Sequence, residues 1–412
     1  MNVTSRRARR SLLGFLAASP LLALGGFRSA PARATEPESV MSSKILEALS
    51  QGELPIESPQ DAINVFDFEA AARERMSPAH YGYLATGSDN DATVRANRKG
   101  FNRFKLRPRR LTGVDAVDTA TELFGVSWKA PIALSPVGNE RAFHPEGAVA
   151  VGRAAREKDA LQVLSIGANF ALADVHAARG GPVWFQLYPL DDWSQTHAVV
   201  KRAEAAGCPV LVLTVDMEAG HNRETMERFK RRDGGDCSAC HRPGRTREDK
   251  YPNIAGISAA SDATPLLWNW EFVDRLKAST AMKLVIKGIV THEDAALCVE
   301  HGVDGIIVSN HGGRAENSGR STIECLPEVA EAVGGKIPLL IDSGFRRGTD
   351  IYKALALGAD AICIGRPYLW GLASFGQQGV EAVLEILQRE LQLVMRQCGA
   401  PSLGAIDRSS VI

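Results

Sequence analysis

From about residue 130 the chain repeats one pattern. A short apolar run rich in Val, Ile and Leu is followed by a longer Ala/Glu/Arg stretch of helical period. The runs are PIAL (131–134), LQVL (161–164), PVWFQL (182–187), PVLVLTV (209–215), KLVIK (283–287), GIIV (305–308), PLLI (338–341) and AICI (361–364). Helical candidates between them are GAVAVGRAAREKD, WSQTHAVVKRAEAAG, EDAALCVEHG, CLPEVAEAVGG and TDIYKALALGAD. Strand–helix alternation implies a parallel sheet. Eight such units predict an α/β fold, a (β/α)8 barrel, with an N-terminal helical extension and a long loop, residues 217–282, after the fourth strand. The competing architecture, a doubly wound open sheet, calls for a Gly-rich loop after an early strand, and the sequence has none.

The C-terminal ends of the runs carry the chemistry, because barrel active sites are built there. In chain order they supply Ser135, Pro136, Val137 and Gly138; Ser165; Gln186 and Tyr188; Thr214 and Asp216; Lys287; Ser309, Asn310 and His311; Asp342, Ser343 and Gly344, with Arg346 following; and Gly365 with Arg366. A purely structural barrel has no reason to place polar groups at all eight strand ends. DSGFRRG and IGRP, at the seventh and eighth ends, combine glycines for close backbone approach with arginines for charge. That pairing points to a bound phosphate, first as part of a cofactor and second as part of a substrate.

His311 is the natural general base, since imidazole titrates near neutral pH. Asp216 is placed to orient it and to stabilise the imidazolium. Arg223 and Arg314 suit a bidentate grip on a carboxylate. Lys287 supplies fixed positive charge beside a cofactor that gains negative charge on reduction.

Composition adds little to this picture, and charge adds more. The 412 residues carry 48 basic and 48 acidic side chains, so nothing argues for nucleic acid as a partner. Residues 1–34, however, hold six arginines and no acid, and a chain without them carries about −6. Arg6-Arg7 and Arg9-Arg10 precede SLLGFLAASPLLALGG, an apolar stretch too short and Gly-rich for a comfortable membrane span, and Ala32-Arg33-Ala34 fits an A-x-A cleavage site. These features predict a twin-arginine signal cleaved near Ala34 and a periplasmic protein. Residues 35–62 read as a linker, and 63–412 as the catalytic barrel.

Several segments together resemble the FMN-dependent 2-hydroxy-acid oxidases and dehydrogenases, the family of glycolate oxidase, L-lactate and mandelate dehydrogenases and flavocytochrome b2. They are YGYLATGSDNDATVRAN (81–97), LRPRRL (106–111), HPEGA (144–148), FQLY (185–188), LTVD (213–216), IKG (286–288), SNHGGR (309–314), RRGTDIYKALALGA (346–359) and IGRP (364–367). The resemblance runs from about Val65 to the C-terminus. It implies that Tyr83 and Tyr188 contact the substrate, that Arg223 and Arg314 hold its carboxylate, and that His311 takes a proton with Asp216 behind it. Pro136, Val137 and Gly138 are implied to pack along the flavin. Ser165, Gln186, Thr214 and Lys287 are implied to bond the ring and ribityl chain, and Ser309 to lie near them. Asp342, Ser343, Gly344, Arg346, Gly365 and Arg366 are implied to hold the ribityl and phosphate end. The family also implies a homotetramer.

The chain departs from the family pattern in places. Ala315-Glu316-Asn317 stands where Gln-Leu-Asp often follows SNHGGR, MEAGHNRE replaces T-P-x-x-G-R-R-E, and SPVG replaces P-T-A or P-T-G. The long loop holds CSACH, Cys237 to His241. C-x-x-C-H is the attachment signature of c-type haem, with Cys237 and Cys240 as thioethers and His241 on iron. The alternatives are a local disulfide or a partial zinc set that His221 completes. The remaining cysteines, Cys208, Cys298, Cys325 and Cys363, read as buried apolar residues, and Cys398 has no evident role. The expected activity is FMN-dependent oxidation of a lactate-like L-2-hydroxy acid, with electrons passed to a cytochrome or quinone. An oxygen-using oxidase, and a flavin or haem electron carrier with an altered pocket, are the alternatives.

Overall fold

A computed structural model describes residues 56–233, 250–258 and 266–412. Residues 1–34, most of the expected linker and CSACH lie outside the described residues. The eight apolar runs all form strands: β1 (Ile132–Leu134), β2 (Leu161–Ser165), β3 (Trp184–Leu187), β4 (Val210–Thr214), β5 (Lys283–Ile289), β6 (Gly305–Val308), β7 (Leu339–Ile341) and β8 (Ala361–Ile364). They pair in parallel and in sequence order, and β8 closes on β1 with Ile362 opposite Ile132 and Ile364 opposite Leu134.

Strand residues sort cleanly by parity. Ile132, Leu134, Phe185, Leu187, Leu211, Leu213, Ile286, Ile306, Val308, Ile362 and Ile364 face the surrounding helices. Ala133, Leu161, Val163, Trp184, Val210, Val212, Val285, Ile307, Leu340, Ala361 and Cys363 fill the barrel interior. Both faces are dry, which is why the strands read as continuous apolar runs and not as alternations. A hairpin before the barrel, Thr121–Leu123 with Val126–Trp128, turns through Phe124 and Gly125, both at positive φ, as a two-residue hairpin of type I′ geometry requires. Its Trp128 meets Trp184 edge to face and closes the bottom of the barrel.

The expected helices form at Gly147–Glu157, Trp193–Ala205, His292–Glu300, Thr322–Val333 and Gly348–Ala356. Leu172–Arg179, Trp270–Ala278 and the terminal Arg366–Cys398, broken at Phe375 and Gly376, add to them. The N-terminal extension is helical as expected: α1 (Val65–Arg75), α2 (Pro78–Ala85) and α3 (Ala92–Lys99). One boundary differs. The compact unit spans Pro55–Ile412, so the end of the stretch read as linker is folded in. Ile56 and Pro59 are buried there, and an apolar side chain with a place in the core does not remain in a linker.

Candidate active site

Strand periodicity builds the site. Two residues above each interior apolar position, the same inward row continues as Ser135, Ser165, Gln186, Thr214, Lys287, Ser309, Asp342 and Gly365. An apolar plug below is thus topped by one polar ring, nearly all of it buried. Lys287 Nζ donates to Ser309 Oγ at 2.8 Å and lies 3.4 Å from Asp342 and 3.7 Å from Asp216. Burial disfavours its charge, but the two carboxylates outweigh that and hold its pKa above the ordinary lysine value. The ammonium is therefore fixed.

One step higher stand His311, Asp216 and Tyr188. His311 Nδ1 lies 2.7 Å from Asp216 Oδ1, which assigns the proton to Nδ1 and leaves Nε2 as the acceptor. Nε2 is 3.3 Å from the Tyr188 hydroxyl. Burial lowers the His311 pKa, and Asp216 opposes this without reversing it. Burial pushes the Asp216 carboxyl up, but Lys287 and His311 prevail and keep it below the usual carboxylate range. His311 itself sits at φ 58°, in the left-handed region that costs a non-glycine residue energy.

Two adjoining cavities meet at this histidine. The larger, about 460 Å³, is lined along the tops of β1, β2, β7 and β8 and by Lys287; Tyr83, Tyr188, His311 and Arg314 border both. The smaller, about 390 Å³, adds Arg223, Met217 and Trp268. Arg314 lies over the Tyr83 ring at 4.6 Å, and its Nη1 donates to the carbonyls of Tyr83 and Thr86. Arg223 is nearly buried, with Nε lacking a partner; burial first, then Arg314, lowers its pKa to about 10. Two guanidiniums with a histidine between them form an anion site next to a base.

The larger cavity fits FMN by its donor set. Ser135 Oγ, which lines it, is buried without a partner, as are Gln186 Nε2 and Thr214 Oγ1 in the same polar ring; Ser165 Oγ donates to the other end of the Gln186 amide, Oε1, at 3.0 Å. A polar, planar heterocycle is the kind of group that satisfies such atoms. At the β7 and β8 ends, Gly344, Phe345, Arg346 and Gly365 line the cavity with the buried Arg346 guanidinium stacked on Trp370 at 4.5 Å. Arg366 also lines it, yet its three nitrogens donate to the carbonyls of Leu84 (2.8 Å), Gly312 (2.8 Å) and Thr86 (3.0 Å). In this structure it ties the N-terminal segment to the catalytic loop.

Residues 72–412 match the family described as FMN-dependent dehydrogenase. The chain belongs to that family. Its relatives include the peroxisomal (S)-2-hydroxy-acid oxidase GLO4 of Oryza sativa subsp. japonica, 38% identical over 357 residues, covering 85% of this chain and 96% of that protein. The 4-hydroxymandelate oxidase of Amycolatopsis orientalis is 38% identical over 359 residues, covering 84% and 97%. Among solved structures, a soluble mutant of the membrane-associated (S)-mandelate dehydrogenase from Pseudomonas putida superposes with a TM-score of 0.76 at 33% identity, covering 85% of this chain and 99% of that one. The protein is therefore an FMN-dependent oxidoreductase acting on CH–OH groups.

The structure brings the predicted set together at one barrel mouth. Pro136, Val137, Gly138, Ser165, Lys287, Asp342, Ser343, Gly344, Arg346, Gly365 and Arg366 line the larger cavity and Arg223 the smaller, whereas Gln186, Thr214, Asp216 and Ser309 line neither. Sequence reasoning passed over Met217, Trp268, Phe143 and Tyr251, which lie in irregular segments and obey no period. Two departures from the family pattern have structural explanations. Asn317 Oδ1 accepts from Ala92 N (2.9 Å) and Thr93 N (3.4 Å), capping α3 from outside. Asn222 bonds Asp89 at 3.0 Å. Among the described residues no cluster of three His, Cys, Asp or Glu side chains is placed to hold a metal ion. Cys208, Cys298, Cys325, Cys363 and Cys398 are buried free thiols, as expected of the first four.

Proposed function

We propose that the protein oxidises an L-2-hydroxy acid with an apolar side chain to the 2-keto acid and delivers the electrons to a cytochrome or quinone outside the cytoplasm. The observation that carries the first part is the unprotonated Nε2 of His311, facing the Tyr188 hydroxyl at the junction of the two cavities and beside Arg223 and Arg314. The arginines grip the carboxylate and fix C2 over the junction. Tyr188 hydrogen-bonds the substrate oxygen, and His311 Nε2 accepts a proton while Asp216 stabilises the imidazolium. Bound FMN supplies the two-electron acceptor, and Lys287 places positive charge next to it.

With the polar ends assigned, Met217 and Trp268 remain as the walls against which the C2 side chain packs. A lactate methyl uses little of that surface. Each further methylene is worth about 0.8 kcal/mol on burial, so kcat/KM rises about three- to fourfold per carbon from glycolate upward. A flat or falling series measured by stopped-flow flavin reduction contradicts the assignment. Loss of the gradient in Trp268→Ala supports it.

The acceptor rests on the leader, since twin-arginine export places the enzyme where cytochromes and quinones are at hand. Relatives described as oxidases support the second reading, oxygen as acceptor. One experiment tests both. L-2-hydroxy acids are added anaerobically to the purified holoprotein, and air is then admitted. Bleaching of the flavin bands supports the hydroxy-acid reading, and no bleaching by any acid while an external donor bleaches them favours an electron carrier. Hydrogen peroxide formed at the turnover rate overturns the cytochrome or quinone assignment. The same spectrum addresses CSACH: haem bands assign thioether haem at Cys237 and Cys240, and their absence leaves a disulfide or metal ligands.

A further inference from the structure

Asn97 is 3% exposed and lies inside α3, a position for which a helix gives asparagine no reason. Its side chain meets Asn310 in a reciprocal amide pair. Asn97 Nδ2 donates to Asn310 Oδ1, and Asn310 Nδ2 donates to Asn97 Oδ1, each at 2.9 Å. Asn310 uses all its remaining capacity, and Asn97 Oδ1 takes a second donor. Asn97 Oδ1 accepts from Thr322 N at 3.3 Å, Asn310 Oδ1 accepts from Gly313 N at 3.0 Å, and Asn310 Nδ2 donates to the Arg320 carbonyl at 3.2 Å. The pair therefore braces both ends of the turn that contains His311, whose left-handed backbone has to be imposed by its surroundings.

The α3 backbone at the same residue also touches the neighbouring loop. A Cβ on Gly344, which is at φ 92°, would lie 2.1 Å from the Asn97 carbonyl oxygen. Asn97 thus contacts the loop carrying the base and the loop lining the phosphate end of the cavity, while itself lining neither cavity.

We propose that Asn97 is a positioning residue for the base: through its amide pair with Asn310 it holds the turn that presents His311 to the substrate. The inference rests on His311 being the base, so its test includes a readout independent of turnover. In flavin-loaded Asn97→Ala, the limiting rate of flavin reduction falls by about 10- to 100-fold, the loss expected when a reacting group is misplaced by an ångström. Substrate Kd stays within about threefold, because the Arg223 side of the carboxylate grip is untouched. Asn310→Ala reproduces the loss. The double variant is no worse than Asn310→Ala alone, since the two residues act as one unit.

The independent readout is the ¹⁵N titration of the His311 imidazole, identified by its disappearance in His311→Gln. With the turn loosened, the ring is less buried and its midpoint rises toward the ordinary histidine value in Asn97→Ala. A residue that only stabilises the fold lowers Tm or flavin retention, but leaves the reduction rate and this midpoint unchanged in the folded, loaded fraction. That result, or additive losses in the double variant, overturns the proposal. Should Asn97→Ala fail to fold, Asn97→Ser is measured in the same way and the same two outcomes decide. If no hydroxy acid reduces the wild-type flavin but the midpoint still shifts, the functional reading fails while the hold of the amide pair on the His311 turn stands.

Discussion

Glu140 shows how much a single side chain can depend on where the backbone carries it. It follows the first strand end and is 3% exposed; its Oε1 accepts from the Tyr368 hydroxyl at 3.3 Å, and its Oε2 has no partner. Burial raises its pKa from 4.5 to about 8 despite the tyrosine. In the unfolded chain this carboxyl ionises near 4.5, while in the folded protein it keeps its proton until about 8. Folding therefore takes up a proton across that interval, and the stability Glu140 allows is lost as pH rises through it. Glu140→Gln is expected to remove this loss, raising Tm over the wild type by about 2 °C or more near the alkaline end and by little near the acid end. Thermal melts across the interval check it. His311 has the opposite sense: its pKa is lowered from 6.5, so the base form dominates at neutral pH, and kcat/KM falls with an acid-side midpoint below 6.5. A midpoint above 6.5 contradicts the burial described here. His311 was readable from SNHGGR, but Glu140 was not. Its sequence neighbours are polar, and only the packing of Tyr368 shows that its carboxyl is dry.

At the scale of elements, the barrel was legible and the extension around it much less so. Eight apolar runs at βα spacing leave few architectures, and their register follows from the inward and outward rows. What α1 to α3 pack against follows no period. Their contacts are with distant parts of the chain, α1 on the terminal helix Arg366–Cys398, α2 on the helix Glu224–Lys230 and α3 on the loops that hold Asn310 and Gly344, and they depend on shape. Asn317 illustrates this. At the sequence level it is a break in the family pattern, but in the fold it caps α3, whose own N-terminal Asp91 instead accepts from Gly87 N at 2.6 Å. Replacing an N-capping side chain costs about 1 kcal/mol. Asn317→Ala is expected to lower stability by that order and to loosen α3 against the catalytic loop, a pairing in which Gly87 and Gly313 approach too closely for any side chain. Amide hydrogen exchange at Ala92 and Thr93 reports it, and unchanged protection there argues that the cap is dispensable.

On the scale of the whole molecule, the two ends of the barrel have different tasks. The bottom is an aromatic seal in which Trp128 is 1% exposed and packs with Phe124 on Trp184. The top is a polar ring in which charges are arranged around two cavities. Cutting Trp128 back to alanine removes a large buried side chain and costs about 3–5 kcal/mol. Because the polar ring belongs to the other end, Trp128→Ala is expected to unfold at lower denaturant while its flavin spectrum and reduction rate remain near wild type. A shifted flavin spectrum in the folded variant contradicts this separation.

The Arg366 staple also bears on when the site can exist. The guanidinium that pins the Leu84 and Thr86 carbonyls over the catalytic loop is encoded some 280 residues after them, and β8, which closes the barrel on β1, comes immediately before it. A chain emerging from the ribosome N-terminus first has Tyr83, Tyr188 and Lys287 in the open well before these closing parts appear. The flavin cradle is therefore completed by almost the last part of the barrel to be synthesised. Cofactor loading has to follow translation, and any step that moves the protein to another compartment must wait for it or repeat the assembly on arrival.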